Sequence, residues 1–298
     1  MKAAIFYFSG TGNTRKIAEL YRSYFNNDNI ECDLFPLPNK NHIDLKEYNY
    51  IGFGYPVHAF NAPELLLDFA RSLPILENQK RCFIFKTSGE PVKMNRISSL
   101  KLIKILKTRG YIVKNEYHYC MPYNIIFRHT DNMAFKLWEA AKKLVPIDYN
   151  ELIQEKEHYE KKVFFGSALA WFLRIEHPGA RFNGKFYKIE GNCIGCGKCA
   201  TNCPVNNIKM NENKLPEFGK DCLMCMRCSF FCPKNSIKIG LFNSWRVNGE
   251  YSFKPGNPDE KSKHDNYCKK AYDRYFEYAE NRNESIDDDS TKIGEKTV

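Results

Sequence analysis

The feature that most constrains this chain is a run of eight cysteines between Cys193 and Cys232. The spacing C-x2-C-x2-C-x3-C-P occurs twice, starting at Cys193 and again at Cys222. The two halves are offset by 29 residues, and the match continues past the last cysteines as CPVNNIK and CPKNSIK. Self-similarity at a fixed offset indicates a duplicated structural unit.

Two metal chemistries use closely spaced cysteines. Zinc ribbons pair two separated C-x2-C knuckles around one tetrahedral ion. Four cysteines in a tight row, each row ending in Cys-Pro, instead suit an iron–sulfur cubane. The spacing therefore favours two 4Fe-4S clusters over two zinc sites. The other four cysteines stand alone in the sequence and are predicted to be small buried residues: Cys32, Cys82, Cys120 and Cys268.

The stretch resembles two-cluster bacterial ferredoxins along its whole length. In such proteins three cysteines of a row bind one cluster and the fourth binds the other. The resemblance implies one ligand set of Cys193, Cys196, Cys199 and Cys232, and a second set of Cys222, Cys225, Cys228 and Cys203. Gly195 and Gly197 flank Cys196, whereas Met224 and Met226 stand at the corresponding places of the second half. We therefore expect the two clusters to have unequal potentials.

The first 145 or so residues alternate strand and helix patterns. Such alternation predicts an α/β domain with a parallel sheet covered on both faces. Apolar periodicity after residue 14 predicts a first helix, and further helices are predicted over Pro63–Ser72 and Asn95–Arg109. The five predicted strands are Ala3–Phe8, Ile30–Phe35, Tyr50–Tyr55, Cys82–Lys86 and Tyr111–Tyr117.

The segment Ser9–Thr14 (SGTGNT) joins the first strand to the first helix. Hydroxyl groups and backbone amides at a helix N-terminus can bind a phosphate dianion. A dinucleotide fingerprint would need a third glycine at position 15, where the sequence has Arg15. A P-loop would need Gly-Lys-Ser/Thr, which is also absent. A simple tight turn remains the alternative to a phosphate loop.

This loop resembles the phosphate loop of flavodoxins, and the resemblance extends over residues 1–145. It implies FMN as cofactor, with its ring between the loops that follow the third and fourth strands. The aromatic residues among the implied ring contacts are equally compatible with a packing role. The implied phosphate contacts are Ser9, Gly10, Thr11, Gly12, Asn13 and Thr14, and the implied ring contacts are Tyr55, Pro56, Val57, His58, Phe60, Thr87, Ser88, Gly89 and Glu90.

The remaining residues complete a four-part division of the chain. A flavodoxin-like domain (1–145) is followed by a helical connector (146–185), a small α+β two-cluster ferredoxin domain (186–240) and a tail (241–298). The pattern from Asn132 to Phe165 is helical, with Pro146 as a point of interruption. The tail is predicted to be helical over Cys268–Tyr278 and disordered from Asp287 onward.

Together the two halves resemble the flavodoxin–ferredoxin fusion proteins of anaerobes, sometimes called ferrodoxins. The resemblance implies electron transfer between FMN and two 4Fe-4S clusters, coupling a two-electron flavin to one-electron redox proteins. Two alternatives remain open: a flavin-dependent reductase of a quinone or nitro compound, and a redox sensor. We find no catalytic constellation beyond the cofactors.

Charge and hydropathy restrict the partners. The net charge of +10 falls to about +6 when eight thiolates surround two oxidised cores, and a flavin phosphate removes about two more charges. No basic stripe is interleaved with aromatic residues, so nucleic acid is not an expected partner. The apolar run Val163–Leu173 is far shorter than the roughly 20 residues of a spanning helix. No signal peptide is recognisable. We expect a cytoplasmic protein without membrane insertion, whose partners are cytoplasmic redox proteins.

Overall fold

A five-stranded parallel sheet forms the first part of the molecule. The computed structural model describes residues 1–39, 43–161, 163, 165–257, 260, 262, 264 and 267–294, with side chains up to residue 282. The strand order is β2-β1-β3-β4-β5, with all pairs parallel, which confirms the predicted sheet. The strands are β1 Lys2–Tyr7, β2 Glu31–Pro36, β3 Tyr50–Pro56, β4 Lys80–Ser88 and β5 Tyr111–Cys120.

Helices cover both faces of this sheet. Successive side chains of a strand point to opposite faces, so each strand contributes apolar residues to both cores. Ile5 of β1 and Phe83 of β4 belong to a core shared with α1 (Asn13–Asn27) and α4 (Asp131–Ile153). The adjacent residues Phe6 and Ile84 belong to the core on the opposite face, formed with α2 (Glu64–Ser72) and α3 (Leu100–Thr108). A 3-10 turn, Lys93–Ser99, precedes α3, where the sequence predicted one continuous helix.

Two glycines in β3 are required by the close approach of aromatic rings. A Cβ atom at Gly52 would lie 2.4 Å from the ring of Phe83, and one at Gly54 would lie 2.2 Å from the ring of Phe85. Both phenylalanines are fully buried. The phenyl rings of β4 therefore fill the space that side chains on β3 would otherwise occupy.

The connector and the ferredoxin-type domain follow α4. Helix α4 runs through Pro146, where the sequence predicted an interruption, and ends at Ile153. The described residues from there to residue 165 are not helical; residues 162 and 164 lie outside the description. Two helices, α5 Gly166–Leu173 and α6 Glu176–Gly184, form the connector. The small domain then consists of β6 Tyr187–Ile189, α7 Lys198–Thr201, β7 Ile208–Met210, β8 Pro216–Phe218, α8 Arg227–Phe230 and β9 Ile237–Ile239, with β6 paired to β9 and β7 to β8.

The C-terminal segment is not a separate tail. A 3-10 turn, Gly240–Trp245, leads to α9 (Lys269–Gly294), which packs along α4. Tyr272, Tyr275 and Ala279 of α9 are buried in the core on that face of the first domain. The helix thus extends to Gly294, beyond Asp287 where disorder was predicted, and residues 295–298 lie outside the described part of the chain. Within the described ranges, no helix is both long enough and apolar enough to cross a membrane.

Candidate functional site

The loop between β1 and α1 is shaped by its own serine. Ser9 Oγ accepts hydrogen bonds from the backbone amides of Gly12 (3.1 Å) and Arg15 (3.3 Å). Gly12 is the N-cap residue of α1 and has a φ of 104°, a conformation that costs a residue with a Cβ atom about 1–2 kcal/mol. The loop therefore turns sharply into the helix N-terminus, where backbone amides and the helix dipole favour an anion.

Side chains tie this loop to two other strand ends. Thr14 Oγ1 lies 2.8 Å from Thr87 Oγ1 at the end of β4, and both residues are buried. Asn124, in the segment after β5, donates a hydrogen bond to Thr11 Oγ1 at 2.8 Å. Asn13 Nδ2 donates to the carbonyl of Pro122 at 2.8 Å. The carboxyl ends of β1, β4 and β5 thus meet at one edge of the sheet, as in other open α/β sheets.

A cavity of about 480 Å³ opens at this edge, and we call it the sheet-edge cavity. Its size is in the range of small-molecule and cofactor sites. Most of the predicted FMN contacts line it: Ser9, Gly10, Thr11, Asn13, Thr14, Pro56, Val57, His58, Phe60, Thr87, Ser88, Gly89 and Glu90. Gly12 is not among the lining residues; its position is at the helix cap.

Tyr55 is a core residue rather than a ring contact. Its side chain is fully buried, and its hydroxyl lies 3.0 Å from Ser98 Oγ. Burial raises the pKa of the phenol, with the charge of Glu116 acting in the same direction. It does not line the sheet-edge cavity. The aromatic pattern of β3 allowed either role, and the structure assigns Tyr55 to packing.

The loop after β3 holds two of the predicted ring contacts in a strained turn. Ala59 and Phe60 have φ values of 39° and 64°, a region that residues other than glycine seldom adopt. His58 and Asn61 exchange backbone hydrogen bonds of 2.9 and 2.8 Å, which close this turn. Burial lowers the pKa of His58, although the charge of Glu176 opposes the shift. His58 therefore lines the cavity as a neutral imidazole near neutral pH.

A buried polar network lies behind the loop after β4. Ser88 Oγ lies 2.7 Å from His118 Nε2. Burial, together with the charges of Lys86 and Arg96, lowers the pKa of His118 to about 3, so the ring stays neutral. Lys86 is fully buried and forms a 2.6 Å ion pair with Glu116. Separating the two charges would leave each of them buried and uncompensated, which is costly. The ion pair therefore holds the end of β4 against β5.

The C-terminal segment holds the Gly89–Glu90 part of this loop. The Glu90 carboxylate accepts hydrogen bonds from the hydroxyls of Tyr123 and Tyr267, the latter at 3.0 Å. The hydroxyl of Tyr272 in α9 donates to the Gly89 carbonyl. Burial, followed by the hydrogen bond to Glu90, raises the pKa of Tyr123, which keeps this phenol protonated. Three tyrosines therefore fix this loop.

Half of the cavity wall comes from residues that the sequence did not indicate. Ala59 lies in the loop after β3 and Asn95 in the 3-10 turn before α3; the others lie after β5, on α6, or in or after the second cysteine row. The residues after β5, those on α6, and Phe242 and Trp245 belong to no motif, whereas the residues of the second cysteine row were interpreted only in relation to a cluster. The wall residues beyond the predicted set are Ala59, Asn95, Met121, Pro122, Tyr123, Asn124, Ile125, Ile126, Glu176, Gly179, Ala180, Leu223, Met224, Cys225, Phe242 and Trp245.

The eight cysteines of the two rows surround two further cavities. The first cluster site is lined by Cys193, Cys196, Cys199 and Cys232, and the second cluster site by Cys203, Cys222, Cys225 and Cys228. These are the two crossed sets that the resemblance implies. Among the described residues, no three His, Cys, Asp or Glu side chains converge closely enough to hold a single metal ion.

The backbone of the two rows is related by the same offset of 29 residues. Gly195 and Gly197 have φ values of 64° and 71°, and their counterparts Met224 and Met226 have values of 51° and 61°. Each strand and short helix of the first half likewise has its counterpart in the second. The sites differ in exposure, because Cys196 is exposed whereas Cys225 is not. The duplicated backbone therefore presents two cluster sites in unequal surroundings.

The donor groups at both sites fit iron–sulfur clusters. The amide of Asn207 donates to Cys203 Sγ at 3.2 Å, and the equivalent amide of Ser236 donates to Cys232 Sγ at 3.3 Å. Such bonds stabilise sulfur ligands and tune cluster potentials. Burial raises the pKa of the Cys225 thiol to about 11. Because iron binds the thiolate, the positive charge of the metal must stabilise that form at neutral pH.

The second cluster site borders the sheet-edge cavity. Leu223, Met224 and Cys225 line that cavity, and Cys225 also lines the second cluster site. The loop Ser9–Thr14 packs directly on Leu223–Cys225, since a Cβ atom at Gly10 would lie 2.3 Å from the Cys225 carbonyl oxygen. No cysteine of the first cluster site is among the lining residues of the sheet-edge cavity.

Comparisons with known proteins match each half separately. The family model described as a 4Fe-4S dicluster domain matches residues 184–237. A flavodoxin of Buchnera aphidicola is 37% identical over 76 residues, covering 26% of this chain and 42% of that protein. Ferredoxin-1 of Rhodospirillum rubrum is 58% identical over 26 residues, covering 9% of this chain and 47% of that protein. The chain thus spans less than half the length of the curated relatives it matches.

Among solved structures, a short-chain flavodoxin associated with a non-canonical PDU bacterial microcompartment aligns with a TM-score of 0.41 and 14% identity. The alignment covers 53% of this chain and 99% of that one. On the sequence matches and the observed sheet, the molecule joins a flavodoxin-like α/β domain to a ferredoxin-type 4Fe-4S dicluster domain. These matches support the predicted combination of a flavodoxin-like half and a ferredoxin-type half in one chain.

Proposed function

We propose that this chain is an electron-transfer protein that binds FMN in the sheet-edge cavity and one 4Fe-4S cluster at each cysteine site. The observation that carries the proposal is the position of Cys225, which borders both the sheet-edge cavity and the second cluster site. The matches to a flavodoxin, to a ferredoxin and to the dicluster domain support these cofactors.

The residues around the cavity divide the binding of FMN between them. The amides of the loop from Ser9 to Thr14 and the N-terminus of α1 suit the phosphate. Pro56–Phe60 and Thr87–Glu90, at the ends of β3 and β4, suit the ring. A flavin exchanges one or two electrons, whereas each cluster exchanges one. The combination would therefore couple a two-electron donor or acceptor to one-electron redox proteins of the cytoplasm.

The wall of the cavity favours a carrier over a reductase of small molecules. Besides Leu223–Cys225, which we call the second cluster segment, Phe242 and Trp245 line the cavity. They stack on each other with ring centroids 4.8 Å apart. Glu176 and Ala180 of α6 complete the wall. A quinone or nitro compound would have to share this cavity with the flavin.

Anaerobic reconstitution tests the proposal. The protein is loaded with iron, sulfide and FMN, and each is quantified per chain. We expect one flavin, two clusters, and equilibration of electrons between flavin and cluster absorbance bands after substoichiometric reduction. Absence of stoichiometric FMN binding would contradict the proposal. Saturable steady-state turnover of a quinone or nitro compound would instead favour the reductase.

A further inference from the structure

The proposed phosphate loop has no charge of its own. Residues Ser9–Thr14 include neither lysine nor arginine, and the Ser9 hydroxyl is used within the loop. The cations that follow in α1 are engaged elsewhere: Arg15 pairs with Glu19 at 3.4 Å, and Lys16 lies over the rings of Trp138 and Phe253. A phosphate with nearly two negative charges would therefore be held by uncharged groups of this domain.

A cation reaches the back of this loop from the ferredoxin-type domain. Arg227, the residue before Cys228, donates hydrogen bonds to the carbonyls of Ser9 and Gly10, the latter at 3.2 Å. Its guanidinium also lies over the ring of Phe8, 5.9 Å from the centroid. Arg227 lines the second cluster site but not the sheet-edge cavity, so it acts on the loop from behind.

We propose that Arg227 is a positioning residue for the FMN phosphate, supplied by the ferredoxin-type domain; this inference rests on the proposed function. A guanidinium bound to a peptide carbonyl polarises that peptide group, which strengthens its N–H as a donor on the opposite side. The carbonyls of Ser9 and Gly10 belong to the peptide groups whose amides are those of Gly10 and Thr11. Affinity for FMN therefore depends on the second cluster segment being folded and docked on the phosphate loop.

The duplication supplies a matched control. Lys198 stands 29 residues before Arg227 and precedes Cys199 as Arg227 precedes Cys228. It is exposed and lines the first cluster site. Lys198→Gln therefore removes one positive charge beside a cluster without touching the phosphate loop, while Arg227→Gln removes the charge that contacts it.

The test compares FMN with riboflavin, which lacks the phosphate, on cluster-loaded and flavin-free protein under anaerobic conditions. Flavin fluorescence quenching gives both dissociation constants, and iron content verifies the clusters. We expect Arg227→Gln to weaken FMN about tenfold, equivalent to about 1.4 kcal/mol, and riboflavin less than twofold. Lys198→Gln should change neither constant, and Arg227→Lys should recover most of the FMN affinity because it retains the charge.

The inference would be overturned if the ratio of the FMN to the riboflavin dissociation constant were the same in Arg227→Gln as in the wild type. It would also be overturned if Lys198→Gln weakened FMN binding as much as Arg227→Gln does. If Arg227→Gln fails to retain iron, Arg227→Lys decides: a full tenfold loss of FMN affinity in this charged variant would overturn the electrostatic role. Failure of the proposed function has a different signature, because the wild-type protein would then bind neither flavin saturably.

Discussion

Gly10 is a position at which the two domains approach each other closely. A Cβ atom there would lie 2.3 Å from the Cys225 carbonyl oxygen, whereas ordinary van der Waals contacts begin near 3.4 Å. The φ of Gly10 lies outside the left-handed region, so alanine would bring no backbone strain. The Gly10→Ala variant must therefore separate the phosphate loop from the second cluster segment by about 1 Å.

Overpacking of this kind costs about 1–3 kcal/mol. If that cost falls on the contact between the domains, local opening becomes about fivefold to more than a hundredfold more frequent. Amide hydrogen exchange in the anaerobic, cofactor-loaded protein measures this opening. We expect faster exchange at Leu223–Cys225 and at the phosphate loop, and little change in the distant strand β2.

Gly12→Ala is the matched control for this experiment. Apart from its neighbours in the chain, no heavy atom of the described residues lies within 4 Å of a Cβ at Gly12, but its φ of +104° makes alanine strained. Exchange should then increase in the first turn of α1 and not in the second cluster segment. The steric reasoning would be refuted if Gly10→Ala left exchange at Leu223–Cys225 at the wild-type rate, or if Gly12→Ala increased it equally.

Three further predictions concern the core, the C-terminal helix and the clusters. Tyr55→Phe should leave the flavin spectrum and FMN affinity unchanged and cost about 1 kcal/mol through its lost contact with Ser98; a weakened FMN affinity would return Tyr55 to the site. Arg282→Met removes the cation bound to buried Asp148 at 2.7 Å, and we expect a loss of about 3–5 kcal/mol at pH 8 by denaturant unfolding. Burial raises the pKa of Asp148 to about 6, and the charge of Arg282 lowers it, so loss of Arg282 should raise the folded-state pKa of Asp148 further. The folded variant then takes up its proton at a higher pH than the wild type and gains more stability on acidification. The deficit should therefore be smaller at pH 5.5 than at pH 8, and equal deficits would contradict this. An EPR-monitored redox titration should resolve two cluster potentials, since Cys196 is exposed and Cys225 is not; indistinguishable clusters would contradict the unequal surroundings.

Local patterns in the sequence were sufficient for the five strands of the parallel sheet. Strand β1, predicted over Ala3–Phe8, differs from the observed Lys2–Tyr7 by one residue at each end, because a buried strand followed by a glycine turn is a local signal. The two crossed cysteine sets follow from spacing combined with a family pattern. Tyr55 could not be assigned, because a tyrosine at a strand end is equally suited to a core and to a ring contact. Its burial depends on contacts with Ser98, 43 residues away.

Contacts between distant segments could not be inferred in the same way. The helix over Lys269–Gly294 is amphipathic, and the sequence showed part of it, but nothing local indicates that Tyr272 reaches the Gly89 carbonyl. The sequence therefore predicted residues 241–298 as a tail. Trp245 and Phe242 carry no motif, and their place in the cavity wall depends on how the two domains dock. Long-range packing, rather than propensity, determined each of these positions.

The docking of the second cysteine row on the flavodoxin-like domain accounts for the larger residues of that row. Ile194 in the first row is 59% exposed, whereas its counterpart Leu223 packs against the core of the flavodoxin-like domain. Gly195 corresponds to Met224, which has the same left-handed conformation although that costs a residue with a side chain about 1–2 kcal/mol. A glycine would avoid this cost but would remove a side chain that lines the sheet-edge cavity. The second row thus has larger residues where it forms a wall. In the first row Ile194 faces solvent, and a Cβ atom at Gly195 would lie 2.9 Å from the Lys214 carbonyl oxygen.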